Sequence, residues 1–297
     1  VTIRNCKLEQ YAKAVRFFYT NNSYLRNSTL YNISWTNTSS HVSAYGIILD
    51  NTYNSTITDS NLTYFWTNTT SPFTCITPED AYLYAVYLNN SNNEVFNMTV
   101  MKDIAGQYYG DTNSELGGCQ GGYLDVGEGI FSPTGSYNVT EFKILSSNIS
   151  GVKASSIDLE HFVNLTINNS RLYGGLVLAG LGNTQCCSYS ATLYNNQFNA
   201  TGNAILFGGT GSSFIQGNLI IDRNVFSDIT VDALKFADLL PAFVEITNNY
   251  FYNVSADYME LRIKNGSIKN NYIDDSKMRQ GDNGISILNN VNITFEN

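Results

Sequence analysis

Ile246-Thr247-Asn248-Asn249-Tyr250-Phe251 reads apolar, any, Asn, any, any, apolar, and the same phrase recurs along the chain. Near copies run Ile3 to Leu8, Leu25 to Leu30, Ile57 to Leu62, Val95 to Val100, Ile144 to Ile149, Ile167 to Leu172, Leu193 to Phe198, Ile221 to Phe226 and Ile268 to Ile273. From residue 149 the closing apolar positions are 172, 198, 226, 251 and 273, a period of 22 to 28 residues. A second short alternating run precedes each late copy, as in Ile157-Asp158-Leu159, Leu176-Val177-Leu178, Ile205-Leu206-Phe207 and Leu234-Lys235-Phe236. Each unit therefore holds two or three strands of three to five residues, and no 3.6-residue helical period stands out. One such unit cannot bury its Ile, Leu and Phe alone, but stacked units bury them in a continuous column. About eleven coils at ~4.8 Å give a rod roughly 50 Å long. Asn suits the turn twice, by tolerating left-handed backbone angles and by stacking side-chain amides along the column.

The chain has 297 residues and a net charge of −9, and charged residues make up only 14%. Asn (39), Ser (28) and Thr (26) fill the polar quota. Without a basic run there is no footprint for a phosphate backbone, so no nucleic-acid partner is expected. Apolar runs are interrupted every few residues, so no membrane insertion is expected either. Residues 1–297 read as one solenoid domain, part of a longer chain, with insertions near 63–83, 101–137 and 179–190. Insertions in a solenoid emerge as outer loops, where binding is expected. The tyrosines in or beside them, Tyr64, Tyr82, Tyr84, Tyr87, Tyr108 and Tyr109, are suited to stacking on sugar rings.

Ile-Thr-Asn-Asn-Tyr-Phe and Ile-Lys-Asn-Asn-Tyr-Ile resemble the coils of right-handed parallel β-helix proteins of the pectin-lyase-like kind. The resemblance covers essentially the whole chain and implies an all-β solenoid. That group includes polysaccharide lyases and hydrolases, epimerases, viral tailspikes and surface adhesins, among which fold does not choose. By the same resemblance, such rods associate as trimers, and outward Val177 and Leu206 are candidates for a contact between protomers. Arg262-Ile263-Lys264 is similar to a polygalacturonase tripeptide, but the acidic pairs and Gly-His-Gly of that family are missing, so pectinase activity is not implied.

Asn-x-Ser/Thr triplets begin at Asn21, Asn27, Asn32, Asn37, Asn54, Asn61, Asn68, Asn89, Asn97, Asn138, Asn148, Asn164, Asn168, Asn199, Asn253, Asn265 and Asn292. Random placement of the Ser and Thr would give about seven. The seventeen point to N-glycosylation and an extracellular surface, on a virion or a cell. With so little charge, the composition resembles surface proteins of thermoacidophilic archaea and their viruses.

Cys75, Cys119, Cys186 and Cys187 lie in the insertions and are the disulfide candidates, with pairing left open. No Cys-x-x-Cys is present and His41 and His161 are the only histidines, so neither a metal nor a cofactor is expected.

A polymer lying along the rod meets only outward side chains. In Ile157-Asp158-Leu159-Glu160 the alternation turns Asp158 and Glu160 outward. Leu124-Asp125-Val126-Gly127-Glu128 reads as the same run one coil earlier, which would place Asp125 beside Asp158 and Glu128 beside Glu160. Asp125, Asp158 and Glu160 are thus the weak catalytic candidates for glycoside hydrolysis, which needs two carboxyl groups ~5 to 9.5 Å apart. The expected role is a surface β-helix, a viral tail fibre, spike or adhesin, that binds host-envelope glycans or glycoproteins. A polysaccharide-degrading enzyme and a structural coat or filament subunit are the alternatives.

Overall fold

The computed structural model of the chain describes all residues except 37–41, 69–80, 105, 110–122, 134–138, 153–154, 160–161, 179–189, 209–216, 238–239, 275–283, 289–291 and 297. The chain winds as a right-handed parallel β-helix. Three parallel sheets run its length. Sheet A begins with Thr2–Arg4 and ends with Asn292–Glu296, sheet B runs from Lys7–Glu9 to Tyr272–Asp274, and sheet C from Lys13–Phe18 to Ile285–Leu288. Strand Met259–Lys269 turns a corner and serves both C and A.

The repeated phrase is one strand of sheet A, a tight turn and one strand of sheet B. Its first apolar residue builds an inward column in sheet A: Ile3, Leu25, Ile57, Phe96, Ile144, Ile167, Leu193, Ile221, Ile246 and Ile268. Its last builds the matching column in sheet B, where Phe198, Phe226 and Phe251 stack with ring centroids 5.0 and 4.7 Å apart. One copy is shifted from the sequence reading. Phe96 and Met101 fill the two columns and are fully buried, while Val95 and Val100 are only half-buried. Asn97 had suggested the register, but the left-handed residue of this coil is Met98, φ 49°.

The two roles expected of the turn asparagine fall on two consecutive residues. The left-handed position is Asn5, Asn27, Asn169, Asn195, Asn248 or Asn270 in most coils, with φ between 46° and 55°. The next residue points inward and forms the ladder. Asn196, Asn224 and Asn249 each donate a backbone N–H to the side-chain oxygen of the next coil's Asn at 2.8 to 2.9 Å. Each also donates Nδ2–H to a carbonyl of the preceding coil, such as Asn224 to Leu193 at 2.9 Å. Thus the buried turn keeps its backbone groups paired. Nearer the N-terminus Ser28, Ser60, Ser147 and Ser170 take over this position.

Gly106–Tyr109 and Tyr123–Val126 pair antiparallel, outside the coil ladder. Coil pairing resumes at Glu128–Ser132 in sheet C.

Candidate functional site

The outer face of sheet C carries the chemistry. Strand pairing lines up Arg16, Ile48, Tyr87, Phe131, Asp158, Val177, Leu206, Lys235 and Glu260, one per coil. A second row sets Lys13, Tyr45, Tyr84 and Glu128 beside the first four. Alternation turns the first row outward while Val15, Ile47, Val86, Ile130 and Ile157 fill the core. The second row, three residues earlier on its strands, reaches the same face where the pairing skips Ala14, Gly46, Ala85 and Gly129.

Four rings meet here. Tyr84 and Phe131 stack at 4.4 Å with planes 4° apart. Tyr45 stands edge-on to Tyr87 at 5.5 Å, and Tyr84 lies 5.9 Å from Tyr87. Charges rim the rings. Lys13 Nζ sits 5.5 Å from the Tyr45 centroid. The Arg16 guanidinium lies 4.4 Å over Phe18 and pairs with Asp50 at 2.5 Å. Asp50 also accepts Nδ2–H from Asn51 and Asn89, each at 2.9 Å, which fixes the carboxylate. Lys13, Arg16, Tyr45, Ile48, Asp50, Tyr87 and Asn89 surround a shallow depression of about 250 Å³.

Asp158 follows Phe131, flanked on the other side by Val177. Its Oδ1 is buried and has no hydrogen-bond partner among the described residues. Loss of water between apolar neighbours pushes its pKa up to about 6. The group can hold a proton in mildly acid solution.

The sequence had placed Asp125 next to Asp158. The register places Phe131 there instead, because Asp125 belongs to the hairpin strand and pairs with Gln107. Glu128 pairs with Tyr84, two residues before Ile130, which faces Ile157. Glu160, His41, His161 and the cysteines Cys75, Cys119, Cys186 and Cys187 lie outside the described residues. Among the described residues no group of three His, Cys, Asp or Glu is placed to hold a metal.

Val177 and Leu206 do point outward, half-buried, and extend the apolar strip. Further along, Lys235 bridges Asp232 at 2.9 Å and Glu260 at 3.0 Å, and Arg262 donates to the Ala237 carbonyl at 2.7 Å. These contacts hold Glu260 and Arg262 in a coil-to-coil brace. Of the tyrosines singled out by sequence, Tyr84 and Tyr87 reach the sheet C cluster, whereas Tyr64 stacks on Tyr31 at sheet B. Lys13, Arg16, Tyr45, Asp50 and Phe131 were not singled out. Arg16, Asp50 and Phe131 fall on the outward half of the alternation in Lys13–Phe18, Val42–Asp50 and Glu128–Ser132, whereas Lys13 and Tyr45 break it, so only the register joins them.

The triplet asparagines distribute unevenly. Asn32, Asn61, Asn68, Asn148, Asn199 and Asn253 lie on sheet B strands, and Asn97, Asn164, Asn168, Asn265 and Asn292 on sheet A strands. Asn21, Asn27 and Asn54 are in turns. Among the described triplets only Asn89 belongs to a sheet C strand, as its last residue, and its Nδ2 is engaged by Asp50. Asn37 and Asn138 fall outside the described residues.

No protein family's sequence profile matches the chain, and curated proteins yield no match. Among solved structures, the whole chain is similar to the tailspike protein gp49 of Pseudomonas phage LKA1, with TM-score 0.62 and 10% identity, and covers 48% of it. It thus spans about half the length of that tailspike. The surface protein and adhesin PfbA of Streptococcus pneumoniae matches at TM-score 0.46 and 10% identity, over 98% of this chain and 78% of that one. The catalytic unit of a GH87 alpha-1,3-glucanase from Streptomyces thermodiastaticus gives TM-score 0.33 and 9% identity, over 95% and 50%. At 10% identity the likeness to the tailspike is one of fold, and this chain is a right-handed parallel β-helix.

Proposed function

We propose that this chain is the rod of an extracellular surface protein, a viral tail fibre, spike or adhesin, that binds a glycan of a host cell envelope along the outer face of sheet C. One observation carries the reading. The face with the ring cluster of Tyr45, Tyr84, Tyr87 and Phe131, rimmed by Lys13, Arg16, Asp50 and Asn89, carries only the Asn89 triplet among the described residues. Apolar ring faces suit the C–H faces of sugars, and fixed polar groups at the rim suit their hydroxyls. A glycan coat on sheets A and B would leave this strip bare.

The test is binding of the purified chain to an array of neutral and acidic envelope polysaccharides, with a Tyr87→Ala, Phe131→Ala double variant beside it. Binding that survives the double variant unchanged contradicts the proposal. Assaying the bound polymer for new reducing ends separates a binder from a glycan-cleaving enzyme. Asp158, with its raised pKa, suits an acid. Its register neighbours on both sides are apolar, which favours binding.

A further inference from the structure

The corner between sheets C and A changes character along the rod. From Phe142 onward the described inward column at the start of sheet A is apolar, with Phe142, Leu165, Ala191 and Leu219 in register. In the first three coils the same column is Ser23, Ser55 and Glu94, beside Thr20, Thr52 and Ser91. Ser23, Ser55, Ser91 and Glu94 are all 0% exposed. The Glu94 carboxylate accepts Thr52 Oγ1–H at 2.9 Å and the Ser55 backbone N–H at 3.0 Å. The hydroxyls of Thr20 and Ser23 are buried and, among the described residues, have no hydrogen-bond partner.

A carboxylate sealed from water must take up a proton or a counter-cation, because an uncompensated buried charge is costly. In its own column Glu94 faces Ser55 on one side and Phe142 on the other. The charged neighbours of Phe142, Glu141 and Lys143, alternate outward from it. Among the described residues the partners of Glu94 are neutral, so compensation comes from a small ion or a proton. The donors on hand are a carboxylate and neutral hydroxyls, all oxygen, the set that hard cations prefer. One carboxylate matches one positive charge. Water alone would satisfy the hydroxyls and leave the charge unbalanced.

We infer that this buried polar corner holds an alkali cation, bound by the Glu94 carboxylate and the hydroxyls of Ser23 and Ser55. The inference stands apart from the glycan reading, since the corner lies inside the rod and the ring cluster outside it.

Thermal unfolding at pH 8 in sodium, potassium or choline chloride of equal ionic strength tests it. A bound ion stabilises the folded state in proportion to its occupancy. A Tm higher by about 3 °C in sodium or potassium than in choline, saturating with concentration, is the expected result. Glu94→Gln removes the charge and abolishes the difference. Ser55→Ala keeps the charge, removes one donor and moves saturation to higher salt, so the test does not hinge on how well Glu94→Gln folds. Equal Tm values for the unaltered chain in all three salts overturn the inference and leave water or a proton in the corner.

Discussion

Tyr84 and Phe131 lie one coil apart on sheet C with their rings parallel and 4.4 Å between centroids. The hairpin insertion lies between them in sequence, yet the coil pairing sets their strands side by side. Tyr84 stands opposite Glu128 and Phe131 opposite Tyr87, and the two rings meet on the diagonal. The stack sets the floor on which the outward face is built, and Phe131 in turn is the neighbour that keeps water from Asp158.

That last contact is measurable. The Asp158 carboxyl should titrate with a midpoint about 6, against 3.8 for an ordinary aspartate. Phe131→Ala readmits water and should bring the midpoint back toward the ordinary value. Carboxyl-carbon NMR against pH reads both, and an unchanged midpoint in the variant would show that Phe131 is not the cause.

Glu94 makes stability depend on pH. Burial raises its pKa to about 7 from 4.5, so the folded chain binds this proton more tightly than the unfolded one. The contribution is then complete below about pH 4.5 and lost as pH rises toward 7. In choline chloride the loss should be roughly 3 kcal/mol, from ~1.4 kcal/mol per pH unit. Denaturant unfolding at pH 4.5 and 7.5 checks it. Glu94→Gln should flatten the slope, and a chain that instead gains stability across this window through Glu94 would reverse the sign.

The turn residues should separate by role. Asn224→Ala leaves the Asn196 N–H without its acceptor and the Leu193 carbonyl without its donor, costing about 3 kcal/mol. Asn248 holds φ 55°, so Asn248→Ala should cost about 1 kcal/mol and Asn248→Gly less. Chemical unfolding of the three variants ranks them, and equal costs for Asn224→Ala and Asn248→Gly would refute the division of labour.

Phe226 is sandwiched between Phe198 and Phe251. Phe226→Ala opens a void in the column and should cost about 3 to 5 kcal/mol. The loss should appear as a lower unfolding midpoint, and a change under 1 kcal/mol would mean the column collapses to fill the gap.

The β-helix was legible because every coil must fill the same two inward columns, so the apolar spacing repeats whatever the rest of the sequence does. Where an insertion intervenes, that logic stops. Asp125 and Glu128 looked like a coil strand beside Asp158, but alternation alone cannot tell a hairpin strand from a ladder strand. Val95 was read as inward because Asn97 resembled the turn residue, although Met98 takes the left-handed position. Glu94 gave no sign of burial, since taking Val95 as inward turns Glu94 outward by alternation. The ring cluster was half visible in Tyr84 and Tyr87. Tyr45 and Phe131 lie roughly 40 residues away on either side, and only the coil register joins them.

The central claim is that sheet C is the contact face, and paired ring deletions on opposite faces test it most directly. Tyr250 and Tyr272 form an exposed stack on sheet B, 5.1 Å between centroids, and serve as the control. Affinity for the array-selected envelope polysaccharide would be measured by calorimetry for Tyr87→Ala, Phe131→Ala and for Tyr250→Ala, Tyr272→Ala. The account predicts at least a tenfold loss, about 1.4 kcal/mol, for the sheet C pair and none for the sheet B pair. Loss in the sheet B pair with full binding in the sheet C pair would contradict it.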